Sequence, residues 1–333
     1  MTRRILFFPP ESLARDILSR KARAILESCG DVIWNDSGQN YTKEQVIELL
    51  PGAQAVVTSW GSPVFDEAML AVADRLEVVG HAAGSVKRLM PQAGYERGIR
   101  VLSGAAIIAD SVAEYTLWAM LSGQRNMARY DQVMKVDKGW GTAGGGYGHE
   151  VYGKTVGIIA ASMVGRRVIK LLAPFGCDVL VYDPYLSEEG AEALGVRRVS
   201  LLELFAESDI VSVHAPTTPE TKDMIGAEHF DAMKRGALFV NTARCWVIQR
   251  DPMLRTLALG KIRAYLDVFH KEPLAEDDPL RGMENVFLSP HVSGHTEESR
   301  ARLVWAVASD IQRHFAGEPL QYAVSWERLR IMA

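Results

Sequence analysis

An α/β protein with two parallel-sheet domains is what this sequence predicts, and three observations carry that expectation. Short apolar runs alternate with amphipathic helical stretches along most of the chain. The stretch VYGKTVGIIAASMVGRRVIKLLAPFGCDVLVYDP (151–184) reads as strand, turn, helix, strand and then an acid, Asp183. Downstream of it, successive apolar runs stop at polar or ionisable groups, which in a parallel sheet all lie along one edge. At 333 residues, with 48% hydrophobic and 23% charged content, the length suggests two domains more readily than one.

The elements follow in order. Residues 3–8 read as a first strand and 12–29 as a helix, with Leu13, Ile17, Leu18, Ala24, Ile25 and Leu26 at its apolar positions. A strand over 31–34 precedes a helix over 42–50, which opens on the capping-box pair Thr42 and Gln45 and ends at Pro51-Gly52. Strands at 55–58, 78–81 and 99–102, with a helix over 63–73, complete a small parallel domain. The run 111–127 is hydrophobic on more than one face, which places it between layers or between subunits. Residues 137–153 hold seven glycines and read as an extended arm or loop, either a linker or a segment packed on a partner, and the lack of a core of its own favours the partner.

After the 151–184 unit the alternation resumes. A helix over 200–206 leads to a strand over 210–213 that ends at His214-Ala215-Pro216. A helix over 227–233 leads to a strand over 237–241 that ends at Thr242-Ala243-Arg244. Then come a helix over 252–259, a strand over 262–267, and a strand over 286–289 that ends at Pro290-His291. The last helix, 297–315, has Leu303, Val304, Val307, Ile311 and Phe315 at helical spacing. It comes too late for the sheet just completed and is expected to return to the first domain.

Composition bounds the partners. A net charge of −4 with dispersed Lys and Arg gives no electrostatic footprint for nucleic acid or an anionic membrane. The start, MTRRILFFPP, has four apolar residues before its prolines, and no run approaches the roughly 18 of a spanning helix, so a cytoplasmic location is expected. Cys29, Cys177 and Cys245 are odd in number and far apart, which fits isolated thiols rather than a disulfide framework. The histidines show no metal-ligand spacing, and no metal is expected.

In the 151–184 unit, the turn and helix N-terminus present free N–H groups to a pyrophosphate, and Asp183 can accept hydrogen bonds from an adenosine ribose. An acid there repels a 2'-phosphate and favours NAD over NADP. A dinucleotide turn would have glycine at 160, 162 and 165, whereas this chain has Ala160, Ser162 and Gly165. If position 160 or 162 demands a positive φ, a side chain there costs roughly 1 kcal/mol per residue. A Cβ crowding the pyrophosphate adds about 1–2 kcal/mol. Together, roughly 2–4 kcal/mol would weaken cofactor binding about 30- to 1000-fold. A Ser162 hydroxyl bonded to a phosphate oxygen would recover part of that.

Arg244, Glu272 and His291 carry the chemistry. Reduction of a 2-keto acid needs a cation to hold the carboxylate and polarise the ketone, and a proton donor that titrates near neutrality. A carboxylate beside the imidazole fixes its orientation and favours its charged form. Taken singly, Arg244 reads as a surface ion-pair residue, Glu272 as a turn acid and His291 as a loop histidine.

The segments GKTVGII (153–159), VYDPY (181–185), SDIVSVHAPTTPET (208–221), MKRGALFVNTAR (233–244), LDVFHKEPL (266–274) and NVFLSPHVSGHT (285–296) change that weighting. With them the chain resembles, over nearly its whole length, the D-isomer-specific 2-hydroxyacid dehydrogenases, the family of phosphoglycerate dehydrogenase and glyoxylate/hydroxypyruvate reductase. The resemblance implies a Rossmann cofactor domain, 105–296, inserted into a flavodoxin-like substrate domain made of 1–104 and 297–333. It implies Arg244, Glu272 and His291 as the catalytic set. It implies NAD held by Ser162, Met163, Val164, Gly165, Asp183, His214, Ala215, Pro216, Thr221, Thr242, Ala243 and Asp267, with Asp267 on the nicotinamide carboxamide. It further implies substrate contacts from Gly84, Ser85, Val86 and Arg244, and a homodimer built on the 111–127 helix and the arm.

Departures from the family pattern are Ala160, Ser162, Cys245 in place of a glycine, Trp246, Gln249 in place of Asp, and HAAGSVK (81–87) with Lys87 in place of an acid. Lys87 either tunes the pocket toward a more anionic substrate or points to solvent. For Lys87, Trp60, Trp246 and His295, packing or surface roles explain the residues as well as substrate contact does. The expected activity is hydride transfer between NAD(H) and a small 2-hydroxy or 2-keto acid. The alternatives are a non-catalytic NAD(H)-sensing protein on a dehydrogenase scaffold, motivated by the altered turn, and a silent paralogue that binds no dinucleotide.

Overall fold

The structure is a computed structural model that describes residues 2–142, 146–329 and 332. Its strands are β1 (Arg4–Phe7), β2 (Asp31–Trp34), β3 (Ala55–Thr58), β4 (Val78–His81), β5 (Arg100–Ser103), β6 (Thr155–Ile159), β7 (Asp178–Tyr182), β8 (Arg197–Arg198), β9 (Ile210–Val213), β10 (Leu238–Asn241), β11 (Arg263–Leu266), β12 (Val286–Leu288) and β13 (Ala323–Val324). The chain divides into two compact units, Met1–Ala109 with His295–Ala333, and Asp110–Gly294.

The first unit holds a six-stranded sheet in the order β13-β5-β4-β3-β1-β2, parallel except for β13, which runs antiparallel to β5. Without β13 this is the flavodoxin-like order 2-1-3-4-5. The central strands β3 (AVVT) and β4 (VVGH) are buried throughout, as expected for apolar runs covered on both faces. One face is covered by helix Glu297–Ala316, whose Leu303, Val304, Val307 and Ile311 pack with Ile5, Phe7, Val57 and Val78. That approach requires Gly80, where a Cβ would sit 2.9 Å from Val307 Cβ. Buried Asp310 on the same helix accepts from the backbone N–H groups of Gln321 and Tyr322 and from Arg313, fastening the segment that becomes β13.

Three local expectations change in this unit. The helix expected over 12–29 is two helices, Glu11–Ile17 and Arg20–Cys29, because Ser19 breaks off to cap the second through Ala22 N at 3.2 Å. The helix expected over 63–73 shrinks to Glu67–Val72, with Asp66 as its cap. Helix Gln92–Glu96 was not foreseen, being a single short turn behind Pro91.

The second unit holds a seven-stranded parallel sheet, β12-β11-β10-β9-β6-β7-β8. From β6 this reads 3-2-1-4-5-6 with one further strand, the doubly wound Rossmann order, whose switch point lies between β6 and β9. One core contains Phe205, Phe230 and Phe239; the other contains Met120, Val156, Val168 and Val240. The long helix runs Ala105–Gln124, earlier at both ends than expected. Asn126, in the left-handed conformation at φ 55, separates it from a second helix, Met127–Lys135, which the sequence reading had not resolved. Of the glycine-rich 137–153 arm, residues 143–145 lie outside the described residues. Trp140 and Tyr147 in the arm are 86% and 90% exposed.

Candidate active site

The turn after β6 separates the two substituted glycine positions. Ala160 has φ +75, so this position does demand a left-handed backbone, at about 1–2 kcal/mol for a residue with a Cβ. Ser162 does not: its φ is −66, and it is the cap of helix Met163–Leu172, its Oγ accepting from Gly165 N at 3.3 Å. The backbone cost therefore falls on one residue, and Ser162 adds a cap. Gly165 is required by packing, since a Cβ there would meet Ala160 O at 2.2 Å.

Asp183, just after β7, fastens the turn. Its Oδ2 accepts from Ala161 N at 2.9 Å, and its Oδ1 accepts from Tyr185 N at 2.8 Å. The first-turn N–H groups of Met163 and Val164 have no partner within the helix, which leaves this helix start able to take an anion.

At the end of β9, His214 is buried, with Nε2 2.9 Å from Ser212 Oγ and no hydrogen-bond partner for Nδ1. Burial pushes its pKa down to about 3, so the ring is neutral. An orphaned buried ring nitrogen beside the switch point is a group that a bound ligand would satisfy. With the helix start and Asp183, it makes the unit fit a dinucleotide. Thr221 Oγ1 donates to Pro216 O at 2.7 Å and accepts from Thr218 N at 2.9 Å, closing the 216–221 loop on itself. After β10, Thr242 Oγ1 lies 2.8 Å from Thr116 Oγ1 of the long helix, and Ala243 N donates to Asn241 Oδ1 at 3.0 Å.

Beyond the ends of β10, β11 and β12 stand Arg244, Glu272 and His291. His291 Nδ1 and Glu272 Oε2 are 2.7 Å apart, and Glu272 Oε1 accepts from Phe269 N at 2.9 Å. Partial burial pushes the Glu272 carboxyl up, but the bonds from His291 and Phe269 N, with the charges of His291 and Arg244, hold it below the usual carboxylate range. Burial lowers the Arg244 guanidinium against the opposing pull of Glu272, yet an arginine stays charged. Its Nη1 donates to Ala243 O at 2.6 Å.

His291 itself is left-handed, φ +53, which costs a residue with a Cβ about 1–2 kcal/mol. Asp267, 1% exposed, sits against the same loop. Its Oδ1 accepts from Ser289 Oγ at 2.6 Å and Val292 N at 2.9 Å, and its Oδ2 accepts from Ser293 N at 2.9 Å. One lone pair on Oδ2 therefore remains for a further donor.

The departures have local explanations. The Cys245 thiol donates to Val268 O at 2.9 Å, and burial, with Glu272 adding, pushes its pKa up to about 12, so it is an inert thiol. Trp246 is half exposed and donates from Nε1 to Thr218 O at 3.2 Å. Gln249 Nε2 donates to Asp223 O at 2.9 Å.

In the first unit, Gly84 O accepts from Ser103 Oγ at 3.3 Å, Ser85 Oγ accepts from Lys87 N at 3.4 Å, and the Val86 side chain is buried in the core. His81 pairs with Thr58 Oγ1 at 2.9 Å, and burial lowers its pKa to about 4. Trp60 meets the His295 ring edge-on at 5.8 Å and carries Arg300 at 5.3 Å from its centroid.

The structure thus gathers the three catalytic candidates in the second unit and places Gly84, Ser85 and Val86 in the first. Sequence reasoning missed Ser289 and Tyr115, whose hydroxyl donates to Ser289 Oγ at 2.6 Å. Their only signals were a serine at a strand end and a tyrosine in a helix otherwise read as apolar. Among the described residues, no cluster of His, Cys, Asp and Glu is arranged to hold a metal, and no helix is long and apolar enough to cross a membrane.

The family model described as D-isomer specific 2-hydroxyacid dehydrogenase, NAD binding domain, matches residues 117–293. The D-3-phosphoglycerate dehydrogenase of Methanocaldococcus jannaschii is 35% identical over 315 residues, which are 94% of this chain and 59% of that protein. The chain therefore spans little more than half of that relative's length. The glyoxylate reductase of Korarchaeum cryptofilum is 31% identical over 327 residues, 97% of this chain and 98% of that protein. Among solved structures, a phosphoglycerate oxidoreductase from Rhizobium etli superposes with a TM-score of 0.81 at 25% identity, covering 97% of this chain and 98% of that chain.

Proposed function

Because the chain belongs to the D-isomer-specific 2-hydroxyacid dehydrogenases, whose cofactor is NAD, we propose that it interconverts a small 2-hydroxy acid and its 2-keto acid. Arg244 holds the substrate carboxylate and polarises the carbonyl, His291 exchanges the proton, and Glu272 orients the imidazole. The observation that carries this reading is the 2.7 Å contact between His291 Nδ1 and Glu272 Oε2. With Nδ1 given to the carboxylate, Nε2 is the nitrogen left for the substrate.

NAD(H), when bound, supplies or takes up the hydride. In the reducing direction the protonated His291 gives its Nε2 proton to the carbonyl oxygen, while Arg244 stabilises the negative charge developing there. In the oxidising direction the neutral ring takes that proton back.

For the cofactor we assign the N–H groups at Ser162, Met163 and Val164 to the pyrophosphate, with Gly165 allowing the close turn that presents them, and Asp183 to the ribose. His214, Ala215, Pro216, Thr221, Thr242 and Ala243 line its course, and the spare lone pair of Asp267 meets the carboxamide. The N–H groups of Gly84, Ser85 and Val86 are proposed, from the family resemblance, as further donors to the substrate carboxylate. A second copy of this chain is the proposed protein partner, supported by exposed Met127, Met134, Val136, Trp140 and Tyr152. A cytoplasmic location goes with the three unpaired thiols.

The test follows NADH absorbance with glyoxylate, hydroxypyruvate and a wider panel of 2-keto acids. His291→Ala is expected to lower turnover roughly 100- to 10,000-fold, the range of general acid–base catalysis. Wild type no faster than His291→Ala on every substrate overturns the reading, and tight NADH binding without turnover would point to the non-catalytic alternative.

A further inference from the structure

We propose that Tyr115 is a positioning residue for the acid–base histidine, acting through Ser289 and the buried carboxylate of Asp267. The proposal rests on the assignment of His291 as that histidine. Three donors converge on Asp267, and they flank His291 in sequence: Ser289 Oγ at 2.6 Å on one side, and Val292 N and Ser293 N at 2.9 Å each on the other. His291 N also donates to Ser289 O at 3.0 Å, closing a tight turn. A residue at φ +53 does not stay there by its own preference, and this bracket over-determines its backbone.

The proton order along the strut is forced. Asp267 Oδ1 accepts from Ser289 Oγ, so Ser289 has given up its single proton and is left as an acceptor. The Tyr115 hydroxyl, 2.6 Å from Ser289 Oγ, is then the donor. Burial pushes that hydroxyl above its ordinary range, against the opposing effect of the Ser289 bond, so it keeps its proton. Each bond in such a chain polarises the next, and removing the outermost donor weakens the bond that holds the loop. The Tyr115 ring is anchored independently, 5.1 Å from the Trp118 ring on the same helix, so the hydroxyl reaches Ser289 from a fixed base. The helix that carries Tyr115 thereby helps set where the imidazole stands.

Tyr115→Phe removes the hydroxyl and keeps the ring. The full-length protein, labelled with 15N at histidine and without added cofactor, reports the geometry directly, the His291 ring signals being identified by their loss in His291→Gln. The expected result is displaced His291 ring signals in Tyr115→Phe and a similar displacement in Ser289→Ala. In turnover of a 2-keto acid with NADH, kcat is expected to fall about 5-fold, the scale of one net hydrogen bond, while the NADH dissociation constant stays within about 2-fold. Combined with Ser289→Ala, Tyr115→Phe should add no further loss, since the strut is already cut.

Unmoved His291 ring signals overturn the proposal, and so does a full additional loss in the double variant. If Tyr115→Phe does not fold, Ser289→Ala is read by the same signals. If wild type turns over no 2-keto acid, the function assignment fails, while the ring signals still decide this proposal.

Discussion

Ala160 stands at φ +75, so the left-handed strain of a residue with a Cβ is carried by the fold of this turn. Ala160→Gly relieves about 1–2 kcal/mol of left-handed strain and adds about 0.5–1 kcal/mol of glycine chain entropy. Urea unfolding should therefore show a gain of up to about 1.5 kcal/mol, with NADH affinity changing by less than about 3-fold. A 30-fold gain in affinity at unchanged stability would show instead that the Cβ crowds the pyrophosphate. That a substituted glycine position in this turn could demand a positive φ was legible from the glycine spacing, but which of 160 and 162 bears it was not. Ser162 settles into an extended cap, and only the path of the chain around Asp183 determines that.

Helix Met163–Leu172 is the element on which the proposed pyrophosphate site rests. It is amphipathic, with Gly165, Val168, Ile169 and Leu172 buried, and its start is fixed by the Ser162 cap and by the close approach of Gly165 to Ala160 O. The two residues should fail differently. Ser162→Ala loses a cap worth about 1 kcal/mol. Gly165→Ala forces a Cβ into a backbone oxygen, so the helix start must shift; overpacking predicts a loss of about 1–3 kcal/mol. Calorimetric titration should show NADH binding retained in Ser162→Ala and lost or weakened at least about 10-fold in Gly165→Ala. Equal affinities in the two variants would contradict a pyrophosphate site at this helix start. Long elements such as this one were legible because period and capping agree. The two-residue strands β8 and β13 were not: β13 exists because buried Asp310 holds the backbone at 321 and 322.

At the scale of the whole molecule, two sheets of related winding are built from one chain, with the last long helix packed in the core of the unit that contains β1. The exposed apolar residues between 127 and 152 have no core of their own to enter. A second copy of the chain would cover them, and sedimentation equilibrium should give a dimer that Trp140→Glu with Val136→Glu dissociates. A monomer at micromolar wild-type protein would remove the second copy as a partner.

Periodicity and spacing are properties of neighbouring residues, and they were enough for the α/β class, the strand ends at His214, Arg244 and His291, and the strand-turn-helix-strand unit ending in Asp183. The family resemblance grouped Arg244, Glu272 and His291, but the contacts themselves belong to the tertiary structure. The 2.7 Å contact of Glu272 with His291, the bracket of Asp267 around the same loop, and the strut from Tyr115 to Ser289 join residues 19, 25 and 174 positions apart. No local pattern encodes contacts of that range; they appear once the sheet brings its strand ends to one edge.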